Sequence, residues 1–361
     1  MKRILVLNNY SINRVLKEFE EGTKPSHHLY GLVELKKMGY PIIVIDPNLN
    51  SLLFKLSNTL RKIPFCYVGN LQQQFAALAN YRKYDIIYAP CQDTTIFLGV
   101  LSFFKLFKKP IVALAHHPFL NGKLGWGRKV SLYFSINGHL AFPALSNPVA
   151  EQLNSISRNT ISKEMHWGPD LQFYPSTKIS KSEESFKYDL VAIGRTGRDY
   201  TTFIRAFINT NIIVKIYCNI LLKNQIPEKL TDNISIEFLA TDEQLTYKEI
   251  IAIYNCARIL AIPMIAQDSL CGLTSITDGI AIGMPILVTK NKFINIDPDE
   301  NYFGYWINAN ESDEWFNAAN KILNNRSLFE TMGNNARNTA QGKFNILHYT
   351  DELVKLIEQG N

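Results

Sequence analysis

"RILAIPMIAQDSLCGLTSITDGIAIGMPIL", Arg258 to Leu287, is the stretch on which the fold turns. "RILAIP" is a short apolar run closed by Pro263 and reads as a buried strand. "MIAQDSLCG" reads as a loop, and a helix follows from about Leu273. The helix runs through Gly283 into a second apolar strand. Strand, loop, helix and strand in so short a span form one crossover of a parallel sheet. The first backbone N–H groups of such a helix lack intrahelical partners and carry partial positive charge, which makes that end an anion site. Gly272 would allow close approach of a ligand to the backbone, and Thr274 and Ser275 offer hydroxyl donors. Asp278 lies one turn further on, near enough to reach a ribose, and Asp268 in the loop is placed to face a sugar. Ordinary packing, with Gly279, Ala281 and Gly283 as small residues under the helix, is the competing reading of the same stretch.

The alternation extends in both directions. Upstream, "RILVLNN", "PIIVID", "DIIYA", "PIVALA" and "AFPALS" read as strands. They are interleaved with helices at "HHLYGLVELKKMGY", "LQQQFAALANYRKY", "TTIFLGVLSFFKLF" and "NPVAEQLNSI", with an irregular piece before the second of these. Hydrophobicity then collapses over residues 176–187, "STKISKSEESFK", an exposed linker. A second series follows: "YDLVAIG", "DYTTFIRAF", "IIVKIYC", "ISIEFLA", "QLTYKEIIAIYNC" and the opening stretch. A helical end breaks near Asn324 and at Gly342. The expected fold class is α/β, with two Rossmann-like, doubly wound domains facing across a cleft. The first spans residues 1–175, the second 188–342, and a helix over 343–361 crosses back to the first. Ligands of such sheets sit at the carboxyl ends of the strands.

The 361 residues suffice for two domains of ordinary size, and 46% hydrophobic against 19% charged residues excludes a disordered chain. The formal charge of +6 is compatible with an anionic substrate or surface and selects neither. The most apolar segment is interrupted by Lys105, Lys108, Lys109 and Pro110, so no bilayer span is expected and a cytoplasmic protein is. Five scattered cysteines, with no C-x-x-C pair and no histidine at zinc spacing, read as reduced core residues.

Three further clusters carry possible chemistry. "AIGRTGRDYTTF" presents Arg195 and Arg198 between a strand end and a helix start, and guanidinium groups there suit a diphosphate. Two solvated loop arginines are the plainer alternative. "ALAHHPF" sets His116 and His117 just past a strand end, where one could touch substrate, while His27 and His28 open a helix. "FFKLFKK", residues 103–109, and "GKLGWGRK", residues 122–129, mix aromatic and basic residues without acids, as a contact with an anionic membrane would. The alternative is a core helix whose lysines favour its C-terminus. A P-loop, a dinucleotide fingerprint, a nucleophile elbow and an aromatic-basic nucleic-acid stripe are all missing from the sequence.

In order and spacing these segments resemble the GT-B glycosyltransferases, and most of all the retaining family 4 group, over nearly the whole chain. "GLVELKKMGYPIIVID" is similar to the family's helix, Gly-His turn and strand, with Tyr40 in place of the usual His. "HWGPDLQFYP" is similar to its interdomain segment, "IGRTGRDYTTFIRAF" to its phosphate-binding loop, and "MGNNARNTAQGKF" to its closing helices. The resemblance implies transfer of a hexose, with retained configuration, from a UDP- or GDP-sugar to a glycan or lipid-linked acceptor in cell-surface polysaccharide synthesis, without an obligatory metal. It places Arg195, Arg198 and the start of the helix at Leu273 to Ser275 on the diphosphate. His116 or His117 falls on the reacting sugar, in a site complete only when the cleft closes. Of the family's two donor glutamates, the second falls on Asp278 and the first on Leu270, which leaves Asp268 as the nearest acid. An epimerase on the same fold and a non-catalytic nucleotide-sugar binder remain alternatives.

Overall fold

The computed structural model describes residues 1–63, 67–119, 126–158, 160–174, 186–266 and 268–359. Most of the expected linker, Cys66, Gln267 and the start of the "GKLGWGRK" segment lie outside the described residues. The chain forms two compact units. Met1–Gly22, Ser26–Trp167 and the residues from Ile346 onward make the first; Thr23–Pro25 and Gly168–Asn345 make the second.

In the first unit the order is β1 (Ile4–Leu7), α1 (Ile12–Glu20), α2 (Leu32–Lys37), β2 (Ile42–Ile45), α3 (Leu52–Arg61), α4 (Leu71–Ala79) and β3 (Ile86–Ala89). Then come α5 (Ile96–Phe103), β4 (Ile111–Ala113), α6 (Trp126–Asn137) and α7 (Asn147–Ile156). The four strands are parallel in the order β2-β1-β3-β4, with Ile4 registered on Ile42 and on Ile86. Both faces are covered, so β1 and β3 are fully buried and read as continuous apolar runs.

The second unit runs β5 (Tyr188–Gly194), α8 (Tyr200–Phe207), β6 (Val214–Asn219), β7 (Ile234–Leu239), α9 (Tyr247–Asn255), β8 (Ala257–Ile262) and α10 (Leu273–Ile282). It continues with β9 (Ile286–Thr289), β10 (Gly304–Ile307), α11 (Ser312–Leu323) and α12 (Arg326–Gln341). Its sheet is parallel in the order β10-β9-β8-β5-β6-β7, the doubly wound Rossmann arrangement. On one side Phe203, Phe207 and Trp315 are fully buried, at about 1.5–3 kcal/mol for such a side chain. The final helix, α13 (Ile346–Glu358), belongs to the first unit, where Tyr349 meets Tyr88 (Oη to Oη 2.7 Å) and Lys2 Nζ donates to Ile357 O at 2.7 Å.

Three local expectations differ from the structure. The helix expected over "HHLYGLVELKKMGY" is a 3₁₀ turn, Ser26–Leu29, and then α2, because Tyr30 turns left-handed (φ 49°) between them. "AFPALS" makes only isolated bridges at Ala141 and Ala144; Pro143, lying between them, has no N–H to give a ladder. The piece before α4 contains α3, which is mostly exposed and has only Ser57 buried, so its apolar pattern is weak.

Candidate functional site

Each sheet changes winding direction at one point, between β1 and β3 in the first unit and between β5 and β8 in the second. Chain segments leaving neighbouring strands in opposite directions open a crevice there. Both points carry polar side chains.

In the second unit the loop after β5 is fastened to the loop after β8. Arg198 and Met264 form an antiparallel bridge, and the Ile265 amide donates to Gly197 O at 3.1 Å. This carries Arg198 inward until it is only 6% exposed. Its Nη2 donates to Ser275 Oγ at 3.2 Å, in the first turn of α10, and its Nη1 to Thr196 O at 3.2 Å. The Cys271 sulfur lies 3.8 Å from Nη1. Gly194 makes this possible, since a Cβ there would stand 1.9 Å from Arg198 Nε. Gly272, with φ 85°, opens α10 and leaves it without a side-chain cap; a Cβ there would press on Met264 Sδ at 2.7 Å. Leu273 is buried and Thr274 exposed at this end. A fixed guanidinium and an uncapped helix N-terminus therefore converge at the winding switch.

The remaining expected residues of this unit are placed differently. Arg195 turns to the Thr241 carbonyl beyond β7, so it does not share the neighbours of Arg198. Asp278 is buried in α10 and accepts a 2.6 Å hydrogen bond from Tyr174 Oη. Burial pushes its carboxyl up to about 7, against the opposing effect of that hydrogen bond. Asp268 is 78% exposed and lies 3.4 Å from Lys292 Nζ, on a shallow cavity of about 620 Å³ with Asn291, Asp297 and Trp306. Gly279 serves packing, for a Cβ would meet Leu260 and Ile286 at 2.7 and 2.8 Å. Packing therefore accounts for Gly279, while the first turn of α10 is left open beside Arg198.

In the first unit a cavity of about 460 Å³ opens at the switch between β1 and β3. Asn8, Tyr10, Cys91, Gln92, Asp93 and His116 are among its walls. Gln92 Oε1 accepts from the amides of His116 (2.7 Å) and His117 (2.9 Å), which shapes the turn after β4. The His116 ring bonds through Nε2 to Pro90 O at 2.7 Å, and burial lowers its pKa to about 4. Burial also lowers that of His117. Near neutral pH the His116 ring is therefore uncharged, with Nε2 as the N–H donor to the carbonyl. Asp93 accepts from Tyr67 Oη and pairs with Arg61 at 3.3 Å.

Asn8, Gln92, Asp93 and Tyr174 were not singled out from the sequence. Asn8 follows β1 directly and "CQD" follows β3, so the rule that ligands sit at strand ends was the available signal. Tyr174 had none, because its role depends on a contact with Asp278.

Outside these crevices, Phe104, Leu106 (74% exposed) and Trp126 (76% exposed) stand on the surface of the first unit, with Lys105 and Lys108 exposed close by in the chain. Phe107 alone of that run is buried. Among the described residues no helix is long and apolar enough to cross a membrane.

No protein-family model and no curated protein matches the chain. Solved structures do. The chain is similar to Anabaena HepE in complex with UDP, with 15% identity and a TM-score of 0.64 over 99% of this chain and 100% of that one. It is similar to the sucrose-phosphate synthase of Thermosynechococcus elongatus, with 14% identity and a TM-score of 0.68 over 99% and 98%. It is also similar to an α,α-trehalose 6-phosphate synthase of Burkholderia multivorans, with 9% identity and a TM-score of 0.71 over 99% and 97%. These neighbours are GT-B glycosyltransferases, and the chain has their fold.

Proposed function

We propose that the protein is a glycosyltransferase that moves a hexose from a nucleoside diphosphate sugar to a glycan or lipid-linked acceptor, with retained anomeric configuration, in cell-surface polysaccharide synthesis. The observation that carries this reading is Arg198, buried against the uncapped start of α10 at the winding switch. When the bond from the anomeric carbon to the β-phosphate oxygen breaks, the electron pair leaves with the diphosphate. Arg198 and the first amides of α10, Leu273 to Ser275, stabilise that growing charge, and no metal ion is required for it. The acceptor hydroxyl adds to the face the diphosphate leaves, and its proton passes to the departing phosphate oxygen. Asp278 takes the ribose hydroxyls in exchange for Tyr174. Neutral His116 offers hydrogen bonds to the sugar without competing for the anion, with His117 beside it. HepE has been solved with UDP and with UDP-glucose, so UDP-sugars are the first donors to try, ahead of GDP-sugars.

The exposed Phe104, Leu106 and Trp126, with Lys105 and Lys108, support a peripheral contact with an anionic membrane, on the cytoplasmic face where a lipid-linked acceptor would be met. A second reading, a nucleotide-sugar binder without turnover, is favoured by one observation: Asp268 faces solvent and Lys292, and Leu270 stands where the resemblance puts an acid.

The test incubates purified protein with a panel of UDP- and GDP-sugars, lipid-linked acceptors and anionic vesicles. It follows release of the nucleoside diphosphate and the anomeric configuration of the product by NMR. Retained configuration with one donor supports transfer, and tight donor binding without release with any acceptor supports the binder. Failure of every sugar nucleotide to bind would discard both.

A further inference from the structure

Three metal-ligating side chains of the first unit that do not line its cavity meet: His166, His348 and Glu352. Their ligand atoms all lie within 4.8 Å of one another. His348 and Glu352 are four residues apart on α13, so they project from one face of it. His166 comes from the segment that leads out of the unit. Its amide donates to Glu352 Oε2 at 3.0 Å, and its Nδ1 lies 3.4 Å from that oxygen. Two ligands on a tetrahedral zinc ion, with bonds of about 2.0–2.1 Å, are separated by roughly 3.3 Å, so this pair already stands at coordination spacing. The two imidazole centroids are 5.9 Å apart.

The surrounding contacts hold all three in place. Trp167, next to His166, donates from Nε1 to His27 O at 3.1 Å and stacks on Tyr30 at 5.9 Å. Tyr349, next to His348, is buried and bonded to Tyr88, and Thr350 packs against Gly31. The register of α13 is therefore fixed by its buried face, and the cluster sits on a supported part of the fold rather than on a free tail.

We propose that His166, His348 and Glu352 form a binding site for a divalent transition-metal ion of the zinc class. Two imidazoles and one carboxylate are a borderline donor set, suited to Zn(II), Co(II) or Ni(II) over Mg(II) or Ca(II), which prefer all-oxygen shells. Three protein ligands leave a coordination position for water. His166 is the last residue but one before the chain leaves the first unit, and His348 is the third after it returns. An ion here joins those two segments within the unit, so its role is to fix α13 against the outgoing segment. It is separate from the proposed donor chemistry, which needs no metal.

The experiment uses untagged full-length protein, stripped with chelator and titrated with Co(II) and then Zn(II). One equivalent is expected to bind, with visible Co(II) bands that Zn(II) displaces and a rise in Tm. His348→Ala, at an exposed position, is expected to fold normally and to weaken binding by more than about 10- to 100-fold, the loss that changes even around the ligands bring. Glu352→Gln, checked for folding by circular dichroism, is expected to do the same. Absence of saturable binding tighter than about 1 mM in the parent protein overturns the proposal. So does unchanged binding in His348→Ala, which would place the ion on other side chains.

Discussion

The two winding switches have the same topology and different chemistry. At the β5–β8 switch the buried polar groups are a fixed cation, Arg198, and a carboxyl lifted by burial, Asp278. At the β1–β3 switch the half-buried histidine is neutral, and amide and phenol groups line the cavity around it together with the Asp93 carboxylate that pairs with Arg61. The same kind of switch in two parallel sheets thus holds a buried cation in one unit and a neutral histidine among hydrogen-bonding groups in the other. The difference resides in a few residues at strand ends, as expected where a fold provides the scaffold and the loops provide the chemistry.

The two units also respond to pH with opposite sign. Asp278 has its folded value raised from 3.8 to about 7, so the folded state holds the proton more tightly. The resulting penalty grows as pH rises from 3.8 to 7 and is complete above that. Asp278→Asn is expected to gain as much as about 4 kcal/mol over the parent protein at pH 8, and to match it near pH 4, in urea unfolding followed unit by unit with hydrogen exchange. An advantage that does not change with pH would mean that the carboxyl is already ionised in the folded state. In the first unit burial lowers His116 from 6.5 to about 4, so stability is full above 6.5 and falls as pH drops towards 4. His116→Asn keeps a donor for Pro90 O but cannot titrate. It is expected to remove up to about 3 kcal/mol of that acid-side loss, read from the same experiment at pH 4 and 7. A parent-like acid limb in the variant would leave the loss to other groups such as His139, which burial also lowers to about 4.

A smaller effect sharpens the contrast at the cationic switch. Gly194→Ala puts a methyl where Arg198 Nε lies and forces the guanidinium away from Ser275. Nucleoside diphosphate affinity is expected to fall about 30-fold, near 2 kcal/mol, with the far-UV spectrum unchanged. Gly279→Ala, which disturbs packing between α10 and the sheet, is expected to lower Tm instead. If both variants lose stability alike and neither loses affinity, the two glycines share one packing role.

Most of the fold was legible because period and punctuation agree. "YDLVAIG" is β5 residue for residue, "NPVAEQLNSI" is α7, and the helix placed at Leu273 starts there. Where local chemistry overrode the pattern, at Tyr30 and Pro143, the expected helix and strand broke. The site was legible as position more than as contact. Arg198 and Asp278 follow from strand ends and helix turns. Whether Arg195 joins Arg198 depends on a rotamer, and the Tyr174 and Asp278 pair brings together residues far apart in sequence. Asp268 is the acid nearest the position that the resemblance marks at Leu270, and its partner Lys292 is visible only in three dimensions.

The central claim is that Arg198 and the start of α10 hold a diphosphate. Calorimetry of UDP and GDP against uridine and guanosine, in the parent protein and in Arg198→Ala, tests it most directly. The diphosphate of the preferred base is expected to bind the parent protein at least about 30-fold more tightly than its nucleoside, with an advantage that weakens in salt and collapses in the variant. Equal binding of nucleoside and diphosphate by the parent protein, or an advantage unchanged in Arg198→Ala, would contradict it.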